Sequence, residues 1–254
     1  MTYAMRMVIA LLSLALTLSP PTARAAEPVD LLLVLAADVS RSVNEVKFRL
    51  QREGAAAAIS NPEVVRAITS GPNRRIAVCF VEWATTGLHN VVVDWTLIGD
   101  GQSARGFGDK LIEAPRSFAG STSISSAIDF SVSQLERASF AAERRVIDVS
   151  GDGNNNSGRS VTDARDDALA KGITINALVI LTPLAESFRP EHTNPPGGLE
   201  KYFQDNVIGG PGAFVVAAKD FETFGEAILK KLIAEIAGVD PEVSGARAYA
   251  GAPD

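Results

Sequence analysis

The sequence predicts an α/β fold with a mostly parallel sheet between two layers of helices. Short apolar segments, rich in β-branched residues, alternate with amphipathic segments whose apolar residues recur every three or four positions. This alternation continues from residue 31 to residue 236, and no internal repeat or linker interrupts it. Strands and helices that alternate at this spacing form a three-layer, doubly wound arrangement.

Six segments have the apolar, β-branched character of strands, and they cover residues 31–35, 75–83, 90–97, 145–150, 173–181 and 213–217. The second and third segments are joined by a short link at residues 84–89. That link predicts an antiparallel pair at one edge of the sheet. Cys79, the only cysteine, lies in the second strand and is predicted to be a packed, inert thiol.

The predicted helices cover residues 43–59, 62–68, 104–114, 161–170, 199–206 and 221–236, and a further helix opens at Thr122. Asn61-Pro62 ends the first helix, and Gly172 closes the helix at residues 161–170. Residues 182–198 are rich in Pro, Gly and polar residues, which predicts a surface loop.

The first 25 residues are predicted to be a secretory signal peptide. Arg6 precedes an apolar stretch at residues 7–18, and Ala23-Arg24-Ala25 is a small-residue cleavage site. The stretch is too short to span a bilayer, which takes about 20 residues. We therefore expect cleavage after Ala25, a periplasmic or secreted protein without a transmembrane segment, one domain over residues 26–237, and a flexible tail over residues 238–254.

The charge of the chain argues against nucleic acid as a partner. Loss of Arg6 and Arg24 with the signal peptide changes the formal net charge from −6 to −8. Phosphate binding needs clustered Lys and Arg, which an acidic surface does not favour. An acidic protein that binds an acidic partner needs a cation between them.

Three oxygen-bearing side chains follow the first predicted strand. Asp38, Ser40 and Ser42 occupy alternate positions after the apolar run at residues 31–35. An all-oxygen set without His or Cys suits Mg²⁺, Ca²⁺ or Mn²⁺ better than zinc or copper. Asp and Ser also cap helix N-termini, so a strand that turns into a helix is an alternative explanation for this segment alone.

Two further segments place oxygens at the same edge of the predicted sheet. Thr122 opens a helix-like stretch, and Asp152 follows the strand at residues 145–150. In an open parallel sheet, the loops at the carboxyl ends of neighbouring strands meet where the strand order reverses. We therefore expect Asp38, Thr122 and Asp152 to converge.

This ordered set resembles the metal-ion-dependent adhesion site of the von Willebrand factor type A domain, whose pattern is Asp-x-Ser-x-Ser, then a Thr, then an Asp. The matching positions are Asp38, Ser40, Ser42, Thr122 and Asp152. The resemblance implies a Rossmann-like, doubly wound sheet with one antiparallel edge strand. It also implies that the five residues hold Mg²⁺, partly through water, with one coordination position open to an acidic group of a partner.

The partner-binding rim expected around this site consists of Arg41, Ser121 and Asn154. Three other segments resemble a narrower family of exported bacterial proteins related to the same domain: Val81-Glu82-Trp83, Asp148 to Gly153 and Asp205 to Phe214. This second similarity covers nearly the whole chain after the predicted signal peptide. It carries no assigned activity.

Other kinds of site have weaker sequence support. The Asn-rich segment at residues 152–158, with Asp163, partly matches a calcium-binding loop, but its Gly falls one place late and it follows a strand. We favour the alternative that its Asn residues shape the rim of the Asp152 site or tolerate left-handed turns. No Gly-x-Gly-x-x-Gly follows the first strand, which disfavours dinucleotide binding.

A serine nucleophile would need a base, and the chain offers only His89 and His192. Both are interpreted as ordinary surface residues in loops. Glu82, at a strand end, is either an acceptor for the ligating hydroxyls or, as we favour, a carboxylate that faces water.

The leading hypothesis is an exported, Mg²⁺-dependent protein-binding module without catalytic activity, whose partner presents an Asp or Glu to the ion. Ca²⁺ or Mn²⁺ would suit the same oxygens. Two alternatives use the same residues: a metal-dependent hydrolase or accessory enzyme subunit, and a structural domain with an idle metal site.

Overall fold

The computed structural model describes residues 26–187 and 189–239. The predicted signal peptide and nearly all of the predicted tail lie outside the described residues, so the predicted domain boundaries remain predictions. Within the described ranges, no helix has the length and apolar character needed to cross a membrane.

The strands are β1 (Glu27–Pro28), β2 (Leu32–Asp38), β3 (Ile76–Trp83), β4 (His89–Ile98), β5 (Phe140–Ala141), β6 (Arg145–Gly151), β7 (Thr174–Ile180) and β8 (Val215–Ala218). Six of them form one sheet in the order β4-β3-β2-β6-β7-β8. Every neighbouring pair is parallel except β3 and β4, which run antiparallel at one edge. The predicted sheet is confirmed. The separate parallel pair β1–β5 was not predicted.

The helices are α1 (Glu45–Ser60), α2 (Pro62–Thr69), α3 (Gly101–Glu113), α4 (Ile124–Glu136), α5 (Val161–Ala170), α6 (Pro190–Thr193), α7 (Leu199–Asn206) and α8 (Phe224–Ala237). Asn61 separates the first two helices because its side chain accepts the backbone N–H of Glu63 and Pro62 cannot continue α1. α4 begins at Ile124 with Ser123 as its N-cap, so Thr122 lies just before the helix.

The helices cover both faces of the sheet, and every residue of β2 is buried. Leu33 and Leu35 pack in the cluster that contains α1, α2, α3 and α8. Val34 packs in the cluster on the other face, with α4, α5 and α7. Cys79 belongs to that second cluster and is free and buried, as predicted. A central parallel strand buried on both faces needs this continuous apolar run.

Glu82 does not face water, as we had favoured, and it is fully buried at the end of β3. Its carboxylate pairs with the guanidinium of Arg52 from α1, with Nη2 2.5 Å from Oε1, and accepts the backbone N–H of Ser117 at 3.0 Å. The predicted alternative, acceptance from the ligating hydroxyls, is not observed either. Glu82 instead joins β3, α1 and the segment before α4.

Residues 182–198 are more ordered than a plain surface loop. They contain a 3₁₀ helix at Leu184–Glu186 and the single turn α6. His192 and Thr193 of α6 are buried. The prediction of a surface loop missed these short elements because a turn of four residues has no helical periodicity to detect.

The strand order reverses between β2 and β6. From β2 the chain proceeds outward to β3 and β4, then returns to β6 on the other side of β2. Ala37 of β2 pairs with Ser150 of β6, so the loops after the two strands emerge side by side. This is the position at which open α/β sheets form their binding crevices.

Candidate metal centre

Asp38 is the last residue of β2 and is fully buried. Its Oδ1 accepts the backbone N–H of Ser40 at 2.7 Å, which folds the loop back over the strand end. Its Oδ2 has no hydrogen-bond partner within the described part of the chain. A buried carboxylate oxygen without a partner is costly, so this atom requires an explanation.

Ser40, Ser42 and Asp152 form a continuous chain of oxygens. The two serine hydroxyls lie 3.0 Å apart, and the Ser42 hydroxyl donates to Asp152 Oδ1 at 2.6 Å. Asp152 Oδ2 is a second buried oxygen without a hydrogen-bond partner among the described residues, although the Lys47 ammonium lies 3.9 Å away. The structure therefore joins residues 110 positions apart in the sequence, as their motif predicted.

Thr122 is held by reciprocal bonds with Asn156 of the Asn-rich loop. Its backbone N–H donates to the Asn156 side-chain oxygen at 2.9 Å, and the Asn156 N–H donates to the Thr122 carbonyl at 2.9 Å. The backbone N–H of Ser125 donates to Asn155 Oδ1 at 3.2 Å. These bonds fix the Thr122 hydroxyl, which is buried, beside the end of β6.

Burial opposes ionisation of both carboxyl groups. Burial, followed by the negative charge of Asp152, raises the pKa of Asp38 to about 8. Burial also raises the pKa of Asp152, although the hydrogen bond from Ser42 and the charge of Lys47 oppose this shift. The Lys47 ammonium, 3.9 Å from Asp152 Oδ2, does not offset the effect of burial, so a cation bound between the two acids would be favoured.

His192 is part of this centre, and the interpretation of it as a surface histidine is wrong. It is 8 % exposed, and its Nε2 lies 3.2 Å from the Thr122 hydroxyl. Burial lowers its pKa, with the Asp152 carboxylate in opposition. No sequence signal marked this residue, because the contact joins the single-turn helix α6 to the irregular segment before α4. The only sequence feature related to this contact is Gly153, because a Cβ at that position would lie 2.1 Å from His192 Nε2.

A cavity of about 250 Å³ opens at the centre. Four predicted ligands line it, namely Ser40, Ser42, Thr122 and Asp152, and the fully buried Asp38 is joined to them through Ser40. Of the three predicted rim residues, Arg41 and Ser121 line the cavity. The Asn154 side-chain oxygen instead lies 2.6 Å from His192 Nδ1. The rim function of all three residues remains a prediction.

The donor set fits a hard divalent ion. It consists of hydroxyl and carboxylate oxygens, and two of the carboxylate oxygens are buried without partners in the described chain. No group of three or more His, Cys, Asp or Glu side chains lies together as a metal site among the described residues. The candidate is therefore a hydroxyl-rich site of the kind the motif implies.

Arg116 supports the first loop and was not predicted. Its guanidinium donates to the backbone carbonyls of Val39 and Ser40, at 2.8 and 3.2 Å. Ser117, its neighbour, is held by Glu82. The buried Arg52–Glu82 pair thus stabilises the segment from which Arg116 reaches the loop that carries Ser40.

The competing chemistries find less support in this geometry. The oxygens of Asn154, Asn155 and Asn156 are engaged separately, by His192, the Ser125 N–H and the Thr122 N–H, so they do not form one calcium-binding loop. None of these Asn residues adopts a positive φ. Within the described ranges, the hydroxyls of Ser40 and Ser42 bond to each other and to Asp152, without a histidine base.

The profile of the DUF1194 family, described as a protein of unknown function, matches residues 28–240. The chain belongs to the DUF1194 family. The membership predicted from the sequence, in a narrower family without an assigned activity, is thereby confirmed. No curated protein sequence matches this DUF1194 chain significantly.

Solved structures confirm the von Willebrand A-like fold. A von Willebrand factor type A protein from Catenulispora acidiphila is 13% identical with a TM-score of 0.53, and the match covers 82% of this chain and 42% of that one. The pilus adhesin SpaC from Lactobacillus rhamnosus GG, in its open conformation, is 15% identical with a TM-score of 0.59, over 83% and 30%. Proximal thread matrix protein 1 from the mussel byssus, with a zinc-occupied MIDAS motif, is 15% identical with a TM-score of 0.54, over 83% and 49%. The DUF1194 chain spans less than half the length of each of these proteins.

Proposed function

We propose that this DUF1194 chain is an exported, divalent-cation-dependent protein-binding module. Asp38, Ser40, Ser42, Thr122 and Asp152 hold the ion, and an Asp or Glu of the partner completes its coordination. The observation that carries the proposal is the pair of buried, unpartnered carboxylate oxygens beside a cluster of hydroxyls. Export is supported by the N-terminal sequence alone.

A divalent ion resolves the electrostatic conflict within this centre. Without it, burial disfavours ionised Asp38 and Asp152, and the charge of Asp152 adds to this effect at Asp38, as their raised pKa values indicate. A doubly charged cation neutralises both carboxylates and gives their free oxygens a partner. Mg²⁺ suits the oxygen ligands and retains coordinated water, and Mn²⁺ or Ca²⁺ fits the same donors.

An acidic partner group is favoured by the charges around the cavity. The basic side chains of Arg41, Lys47 and Arg189 line it, against Glu186 and Asp152 as acidic ones. The chain as a whole is negatively charged, so an acidic partner is repelled by most of the surface and attracted at this place. A basic patch on an otherwise acidic protein therefore directs an acidic partner to this cavity.

The named functions of the similar structures agree with a binding role. One is a pilus adhesin and another is a thread matrix protein with a metal-occupied MIDAS motif. Because their sequence identity to this chain is low, the comparison shows only a shared fold. The binding role proposed for this chain therefore rests on the residues of its own candidate metal centre. No observation in the described structure favours the hydrolase or the idle-site alternative.

The test is capture of exported proteins by the immobilised, purified chain with Mg²⁺ and then with chelator. We expect a defined partner to bind with Mg²⁺, to elute with chelator, and to be lost for Asp38→Asn. Asp148→Asn is the matched control, because Asp148 is also buried with a raised pKa but lies outside the centre. Capture that persists with chelator and with Asp38→Asn would refute the proposal.

A further inference from the structure

A nitrogen donor lies beside the five oxygens of the proposed metal centre. The His192 ring rests against the backbone of Gly153, directly after Asp152, and its Nε2 faces the Thr122 hydroxyl at 3.2 Å. Two adjacent donors of one ion, each about 2.0–2.2 Å from it, are separated by about 3 Å. The distance between Thr122 Oγ1 and His192 Nε2 meets that condition.

The hydrogen bonds of the ring make Nε2 the acceptor, with the Thr122 hydroxyl as its neighbour. The other ring nitrogen, Nδ1, lies 2.6 Å from Asn154 Oδ1. The orientation of the Asn154 amide is assigned by its Nδ2, which donates to the Glu191 carbonyl at 3.4 Å. Nδ1 also lies 3.4 Å from Asn156 Nδ2, but its contact with Asn154 Oδ1 is much shorter. Nδ1 therefore carries the proton and donates it to Asn154, and the lone pair of Nε2 faces the Thr122 hydroxyl, which lines the cavity. A metal-ligating histidine typically donates its second ring N–H in this way.

The backbone around His192 holds the ring in place. The Asn154 N–H donates to the His192 carbonyl at 3.0 Å, so one residue holds both the main chain and the ring. The neighbouring Thr193 hydroxyl lies 2.6 Å from that of Ser187. This preorganisation is expected of a ligand and is unnecessary for a surface residue.

We propose that His192 Nε2 is a nitrogen donor of the centre beside Thr122, used in place of one of the five oxygens so that a position stays open for the partner, and that it shifts the ion preference from Mg²⁺ toward first-row transition ions, Zn²⁺ above all. The inference rests on the proposed function, because it assumes that the five oxygens hold an ion. Imidazole nitrogen binds Zn²⁺ far better than Mg²⁺, which prefers oxygen ligands and water. His192 thus sets which ion the module uses.

Nitrogen-15 NMR of histidine-labelled protein tests the contact directly. The chain has only two histidines, so the spectrum contains two rings. His89 stacks on Phe130 with centroids 4.0 Å apart and serves as the internal reference. We expect one equivalent of Zn²⁺ to shift the Nε2 resonance of His192 and to leave His89 unchanged. A His192 ring that does not respond to bound Zn²⁺ would overturn the proposal.

Calorimetry with Zn²⁺ and Mg²⁺ tests the preference. His192→Gln should lower the Zn²⁺ affinity at least tenfold and change the Mg²⁺ affinity less than threefold. Equal losses for both ions would mean that His192 only orients Thr122, and would overturn the proposal. Asn154→Ala, which leaves the imidazole present but unsupported, should lower the Zn²⁺ affinity about 10- to 100-fold.

Gly153→Ala provides a test that leaves His192 itself intact. The new Cβ would lie 2.1 Å from Nε2 and must displace the ring, so Zn²⁺ affinity should fall as for His192→Gln. Gly106→Ala in α3 is the control, because a Cβ there meets no atom within 4 Å. Wild-type Zn²⁺ affinity in Gly153→Ala would contradict the inference.

Asp38→Asn separates failure of this inference from failure of the proposed function. If Asp38→Asn abolishes binding of both ions while His192→Gln changes neither, the proposed function stands and the inference falls. If wild-type protein takes up neither ion, both fall.

Discussion

The burial of the Asp38 and Asp152 carboxyl groups lowers the stability of the folded protein. Both are fully buried, and the negative charge of Asp152 raises the pKa of Asp38. Natural proteins retain such destabilising groups where they serve binding, because selection acts on function above a stability threshold. At the scale of residues, the burial of these two acids supports the proposed metal centre.

Glu82 serves stability, by contrast. It is enclosed, paired with Arg52 and bonded to the Ser117 N–H. We expect Glu82→Ala to lower the free energy of unfolding by about 3–5 kcal/mol, because Arg52 would keep an uncompensated buried charge. Urea denaturation of the chelator-treated protein measures this.

Glu226→Ala is the matched control for Glu82→Ala. Glu226 pairs with Lys230 on the surface of α8, where both side chains are more than two-thirds exposed. Water screens exposed pairs of this spacing, so Glu226→Ala should leave the free energy of unfolding nearly unchanged. Equal effects of the two variants would contradict the structural role assigned to Glu82.

The proposed ligands were predictable at this scale, and the position of His192 was not. Asp38, Ser40 and Ser42 follow an apolar strand at alternate positions, and that local pattern is visible in the sequence. His192 contacts Thr122 across 70 positions of the chain, through an irregular segment without periodicity. Glu82 was misjudged because the sequence does not show that Arg52 lies opposite it.

Among the elements, α8 is fixed to the sheet by a buried polar cluster as well as by apolar packing. Lys231 Nζ lies 2.7 Å from Asp148 Oδ2 of β6 and 3.1 Å from Glu235 Oε1. Asn176 of β7 donates to the same Glu235 oxygen at 2.6 Å. The cluster joins the C-terminal helix to two central strands, and its partners fix how α8 lies on the sheet.

This cluster predicts a pH dependence of stability. Burial raises the pKa of Asp148 to about 7, although Lys231 opposes the shift, while the unfolded carboxyl titrates near 3.8. Between these values the folded protein retains a proton that the unfolded chain has lost, so stability falls as the pH rises. One proton corresponds to at most about 1.4 kcal/mol per pH unit.

Asp148→Asn should remove this contribution. Denaturation of wild type and variant from pH 4 to pH 8, both with chelator, should show a shallower decline for the variant between pH 4 and pH 7. Above pH 7 the two curves should run parallel, because Asp148 is then ionised in both the folded and the unfolded wild-type protein. Parallel curves over the whole range would show that Asp148 does not titrate in this way.

Sequence patterns predicted the long elements better than the short ones. α5 and α7 have the predicted bounds, and in α5 the Ser160 cap and the nearby Gly172 mark the two ends. The pair β1–β5 has two residues per strand, and α6 has four residues in total. Elements this short depend on tertiary contacts, which local periodicity does not encode.

At the scale of the whole molecule, the doubly wound topology brings the centre together. The reversal of strand order between β2 and β6 places two loops at the same sheet edge, and α4 begins beside them. The alternation of strands and helices predicted this arrangement, and the shared edge predicted that the oxygens converge. His192 joins the centre from the segment at residues 182–198, whose structure the general fold does not predict.

The account depends most on binding of one divalent ion by these oxygens. Isothermal titration calorimetry of Mg²⁺ into chelator-treated protein measures it, with Asp38→Asn as the test variant and Asp148→Asn as the control. We expect one ion per chain for wild type and Asp148→Asn, and no uptake for Asp38→Asn. Uptake by Asp38→Asn with wild-type affinity, or none by the wild type, would contradict the account.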